Sequence, residues 1–209
     1  MATAHNISGA NADFVQGLDG RALMPFMYLG AKHMITGYDH LLYLLGVVFF
    51  LRRLKDVLLY VSLFTLGHSI TLMAGVLSGL NVNAYMVDTI IGLSVVYKAF
   101  ENMGGFKQLF SFQIDARIAV FAFGLCHGLG LSTKLQDLSL STTGLVSNML
   151  SFNVGVELGQ AVALAVIVMI LTRWRQSDGF KRHAFITNTV LMTLGFILAG
   201  YQFAGYLWQ

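Results

Sequence analysis

Runs of apolar residues as long as a bilayer is thick recur along this chain, and few folds are open to such a sequence. Backbone in hydrocarbon must satisfy its own hydrogen bonds, so it crosses as helix or as a closed barrel. A crossing helix takes roughly 20 mostly apolar residues. Six such runs, bounded by charge or by Gly/Asn turn signals, cover approximately residues 26–51, 57–77, 84–100, 118–132, 145–172 and 184–206. They predict an all-α polytopic membrane helix bundle of about six transmembrane helices. The fourth run is short, and its glycines between Leu125 and Leu131 are expected to tilt or break it. The first is long, with Gly30 and Gly37 as the expected places for a bend.

Composition agrees: 56% of residues are hydrophobic, 11% are charged and there is one proline, which excludes an ordinary soluble domain. The basic residues are unevenly placed. Arg52, Arg53, Lys55, Lys107, Arg117, Arg173, Arg175, Lys181 and Arg182 follow the first, third and fifth runs, against Arg21 and Lys134 on the other side. The positive-inside rule then puts both termini outside, N-out/C-out. The net charge of +3 is thereby spent on cytoplasmic links, so no nucleic-acid partner is implied. Residues 1–24 are polar, include His5 and lack a signal-peptide core; they are expected to be a short extracytoplasmic segment. Residues 25–209 are expected to form a single transmembrane helical domain. Cys126 sits alone in an apolar run, so no disulfide is expected.

The polar residues inside these runs carry the functional signal, because an ionisable group in a bilayer is costly unless paired or hydrated. The first run holds His33, Asp39 and His40, the second His68, the third Asp88 and Glu101, the fourth His127, and the fifth Asn153, Glu157 and Gln160. Counted inward from the ends, all but Glu101 reach comparable depths; Glu101 falls at the cytoplasmic end. Asn153, Glu157 and Gln160 are spaced i, i+4, i+7, as are His33, Gly37 and His40, so each set forms a stripe expected to face the bundle interior. Gly124 with Gly128, and Gly155 with Gly159, are small pairs four apart that permit close helix packing.

Imidazole and carboxylate together are donors for borderline divalent ions such as nickel, cobalt, zinc or iron. A divalent transition metal is therefore the expected ligand, with further carboxylates and amides orienting the imidazoles. On a straight helix His33 and His40 stand roughly 10 Å apart, so they share one ion only if the helix bends near Gly37. Three chemistries use such a set. One is a metal permease, driven by membrane potential or an ion gradient because no ATP-binding motif is present. The second is a membrane metallohydrolase in which Asp39 or Glu157 serves as general base. The third is a metal- or haem-binding accessory subunit. The permease leads, although AVALAVIVMIL after Gln160 offers few polar groups toward the cytoplasm.

Five motifs in order, GAKHMITGYDHLLYLL, FTLGHSITL, NVNAYMVDTIIGLSVVYKAFEN, FGLCHGLGLS and SFNVGVELGQ, resemble the HupE/UreJ family of bacterial membrane proteins. That family is generally described as nickel or cobalt permeases tied to hydrogenase and urease maturation. The resemblance implies transition-metal transport across the bacterial inner membrane, with metalloenzyme-maturation proteins or a second copy as candidate partners. By motif position it singles out His33, Asp39, His40, His68, His127 and Glu157; Asp88, Asn153, Gln160 and Glu101 are assigned to the surrounding shell or the pathway. His33 is followed by Met34 rather than proline, and Asp88 stands where many relatives have glutamate, so the chain is similar to the second, less characterised branch.

Overall fold

The structure is a computed structural model that describes residues 20–136 and 143–208. The described residues form α1 (Leu23–Thr36), α2 (Tyr38–Val48), α3 (Leu54–Ser78), α4 (Ala84–Asn102), α5 (Gly105–Phe110), α6 (Ala116–Gln136), α7 (Leu145–Trp174) and α8 (Phe180–Leu207), with no strand among them. The six apolar runs coincide with α1 plus α2, then α3, α4, α6, α7 and α8; α5 is a short addition. Most of the expected N-terminal segment, His5 included, lies outside the described residues, while Leu23 and Met24 already belong to α1.

The solvent of this fold is read from what it turns outward. On α7, Leu158, Val162, Val166, Met169 and Ile170 are exposed, and on α8 Phe185, Ile186, Phe196 and Ile197 are. Inside, His40, His68, His127 and Asp39 are at most 1% exposed. An apolar outside around a charged and imidazole-rich inside is stable in lipid and not in water. The helices α3, α6, α7 and α8 are each long and apolar enough to cross a membrane. The protein is thus an all-helical, multi-pass membrane bundle. Helix α4, of 19 residues, carries Asp88, Lys98 and Glu101, and α1 and α2 are each too short to cross alone.

Three tight helix pairs make up the bundle: α1 on α7, α3 on α6, and α4 on α8. Lipid offers no hydrophobic drive to associate, so the pairs hold by backbone proximity at small residues. A methyl group on Gly155 would strike the Met27 carbonyl, and one on Gly128 would strike the His68 carbonyl and the Thr71 hydroxyl. Thr71 Oγ1 in turn donates to the Leu125 carbonyl at 2.7 Å, joining α3 to α6 through a bond that hydrocarbon does not weaken. On α4, Gly92 leaves room for the backbone of Ala199, 2.6 Å from where a Cβ would stand. The glycines of the fourth run therefore do not break it: α6 is continuous over 21 residues, and its glycines serve packing.

The break falls in the first run instead. Gly37 is extended (φ −74°, ψ 101°), ending α1 and opening α2. Its N–H still donates to the His33 carbonyl at 2.9 Å, and its own carbonyl accepts from Leu41 at 3.1 Å, so few backbone bonds are lost. Gly30, the other expected bend, packs against the Phe152 carbonyl of α7 within an intact α1. The far end of α2 is held by Arg175, whose guanidinium donates to the carbonyls of Phe49 (2.7 Å) and Leu51 (2.8 Å) and to that of Val48. Burial there, and then the charge of Arg52, lower the Arg175 pKa from its ordinary value. Phe49, Trp174 and Phe180 close the same end, with ring centroids 5.1 to 5.8 Å apart.

Candidate metal centre

The break at Gly37 turns α2 back so that His40 meets His33, and their ring centroids stand 4.9 Å apart. A Cβ at Gly37 would lie 2.9 Å from His40 Nδ1 and 3.0 Å from the His33 carbonyl, so the space next to the imidazole is taken by the absence of a side chain. His68, from the middle of α3, joins them, 5.8 Å from His40 and 6.4 Å from His33 by centroids. One ring nitrogen from each of these three residues lies within 4.8 Å of the other two. That is the separation at which small side-chain rotations would bring three nitrogens onto one tetrahedral or octahedral ion.

Two further groups adjoin the triad. His127, on α6, is 5.0 Å from His40 by ring centroids and is fully buried. Its Nδ1 lies 2.7 Å from the Phe123 carbonyl one turn earlier. With the proton on Nδ1 as donor, that bond fixes the tautomer whose Nε2 carries the lone pair. Asp39 is 1% exposed, and its carboxylate lies 3.3 Å from His40 Nδ1. Both residues sit in the first turn of α2, where the unsatisfied N–H groups of a helix start favour a negative charge. On a continuous helix neighbours such as Asp39 and His40 point apart; at a helix start they come together.

Aromatic rings that the sequence did not flag wall the histidines on the side of the basic links. Tyr43, one turn beyond His40, is 5.5 Å from His127 and 5.4 Å from Phe64 by centroids, and Phe64 is 4.9 Å from His127. Phe123 backs Tyr43 at 5.8 Å. The i+3 spacing from His40 to Tyr43 was the available signal.

Of the other expected residues, three are tied to other partners. Asp88 pairs with Lys134, in the last turn of α6, at 2.6 Å, both largely shielded. Glu101 pairs with Lys98 at 2.7 Å at the end of α4. Asn153 and Gln160 are buried along α7, and Gln160 meets the hydroxyl of Thr65 on α3. Glu157 does not face inward with them. It is exposed and lines a groove between α3 and α7, outside the group of clustered ligand atoms.

No curated protein and no solved structure matches the chain. A family match covers residues 10–209, which takes in every helix described above, under the description HupE / UreJ protein. A buried imidazole cluster in a multi-pass bundle and that match agree, and the chain belongs to the HupE/UreJ family.

Proposed function

We propose that this protein is a permease for a divalent transition-metal ion of the nickel or cobalt class in the bacterial inner membrane. His33, His40 and His68 take the ion from the outer side, His127 offers the next nitrogen, and Asp39 orients His40 while supplying negative charge. The observation that carries this reading is the convergence of three imidazole nitrogens within 4.8 Å at a broken first span. Broken spans are where transporters place ion sites, because helix ends and freed backbone groups face a cavity rather than lipid. Membership of the HupE/UreJ family supports the transition-metal assignment. With both termini outside and no nucleotide motif, the potential drives entry; 100 mV on two charges is worth about 4.6 kcal/mol.

The test is nickel or cobalt accumulation by cells, and by proteoliposomes, carrying the wild type or His68→Ala. The wild type is expected to accumulate metal and to retain about one ion per chain after purification, and His68→Ala to do neither. Metal retained without flux into proteoliposomes would reject the permease in favour of a second reading, a membrane metalloenzyme. One observation favours that second reading: Tyr43, Phe64 and Phe123 wall the histidines off from the basic end of the bundle. Tyr43→Ala distinguishes the two, since opening that wall raises flux in a permease and leaves an enzyme's metal content and tightness to ions unchanged.

A further inference from the structure

Glu157 sits 13th in the 30-residue α7, near the middle of the longest helix, and it is exposed. Among the described residues no Lys, Arg or His makes an ion pair with it. A carboxylate at that depth with no cation beside it is costly. It lines a groove of about 520 Å³ between α3 and α7 whose polar lining is otherwise Ser62, Thr65, Ser69 and Gln160. The groove starts at Ser69, next to His68, and runs to Leu58 near the basic end of α3. At 1.5 Å per residue, the eleven steps from Leu58 to Ser69 span roughly 16 Å.

The buried Gln160 points to what the groove holds. The Thr65 hydroxyl lies within donor range of both the Val61 carbonyl (3.0 Å) and Gln160 Oε1, yet it has one proton. Gln160 Nε2, meanwhile, is buried with no hydrogen-bond partner among the described residues. Turning the amide over satisfies the set: Nε2 donates to Thr65, Thr65 donates to Val61, and Oε1 takes the position that has no partner. Gln160, 2% exposed, then brings an acceptor oxygen to a groove wall that also carries the Glu157 carboxylate and, one turn apart on α3, the hydroxyls of Thr65 and Ser69; Ser62, about 10 Å from Ser69 on the unbroken helix, is too far to share an ion with it.

From this donor set we infer a second cation site, distinct from the histidines, that takes a hard monovalent ion, sodium first. Every donor is oxygen, which suits alkali and alkaline-earth ions and not the borderline metals that imidazole prefers. The formal charge is one carboxylate, so a monovalent ion leaves the site neutral in hydrocarbon and a divalent ion does not. The site goes beyond the transport reading and stands whether or not the histidines carry metal.

Thermal unfolding of the full-length protein in detergent, in sodium chloride against choline chloride at equal ionic strength and without transition metal, tests it. Sodium is expected to raise the unfolding midpoint saturably in the wild type. Glu157→Gln is expected to abolish the rise, and Ser69→Ala to weaken sodium about tenfold while Ser62→Ala leaves it unchanged. His68→Ala is expected to keep the rise while losing bound nickel, which separates this site from the histidine site. Equal midpoints in sodium and choline, or a sodium response that survives Glu157→Gln, would overturn the inference. So would a Glu157→Gln protein that changes its oligomeric size by light scattering, because the carboxylate then belongs to a contact between copies. If Glu157→Gln does not fold, Ser69→Ala decides, and an unchanged sodium response in it overturns the site.

Discussion

His33 and His40 are seven residues apart in sequence and 4.9 Å apart by ring centroids, because Gly37 between them interrupts the helix that would have held them a full two turns apart. The separation is set by backbone, not by rotamer choice, and it ties the candidate metal centre to a single small residue.

Gly37→Ala is therefore expected to weaken metal binding without unfolding the bundle. Alanine tolerates the backbone angles found there, but its methyl would press on His40 Nδ1 and the His33 carbonyl, each about 3 Å away. Nickel affinity measured by titration should fall by about tenfold or more, with helical circular dichroism unchanged. Unaltered affinity would remove the break from the account of the site.

Gly128→Leu should cost more than Gly37→Ala in stability. The side chain would have to enter the α3 backbone at His68, prising α3 from α6. Overpacking of this kind costs typically about 1–3 kcal/mol, and the displaced His68 and His127 should release metal as well. Detergent-denaturation midpoints and metal content report the two effects separately.

At the other end of α2, Arg175→Lys is predicted to lower the unfolding midpoint nearly as far as Arg175→Ala. A guanidinium fork reaches the carbonyls of Val48, Phe49 and Leu51 together, and an ammonium on a flexible stem does not. Leaving such carbonyls unmade costs about 1–3 kcal/mol each when buried. Full retention of stability by lysine would show that charge alone suffices.

Asp88 and Lys134 give a prediction of sign rather than size. Either Asp88→Leu or Lys134→Met alone strands a shielded charge and should destabilise by about 3–5 kcal/mol. The two together should recover most of that loss while leaving metal content near wild type. If the double variant loses metal as fully as His68→Ala, the pair belongs to the ion's route and not to the scaffold.

How much of this was legible beforehand divides along physical lines. Apolar run length located the helices, since bilayer thickness is a property the sequence must meet residue by residue. The condition for His33 and His40 to meet was legible too, because rise per residue fixes their distance on a straight helix. The fate of Glu157 was not. With about 100° per residue, Gln160, Val156, Phe152 and Gly159 fall on one side of Asn153 around α7, and Glu157 falls about 40° to the other. The spacing made a stripe, but which flank of it was covered depended on α7 packing against α1 through Gly155 and Gly159. The pairing of Lys134 was not legible either: α6 runs one turn past its apolar run, bringing the ammonium to Asp88.

The pairing of α1 with α7 and of α3 with α6 sets where the imidazoles originate. His33 belongs to the first pair, His68 and His127 to the second, and His40 to the half-helix α2, which packs chiefly on α4 of the third pair and also touches α1, α7 and α3. The imidazoles thus span a seam between helix pairs, and any sliding of one pair along the other changes the spacing of their nitrogens before a single rotamer has to change.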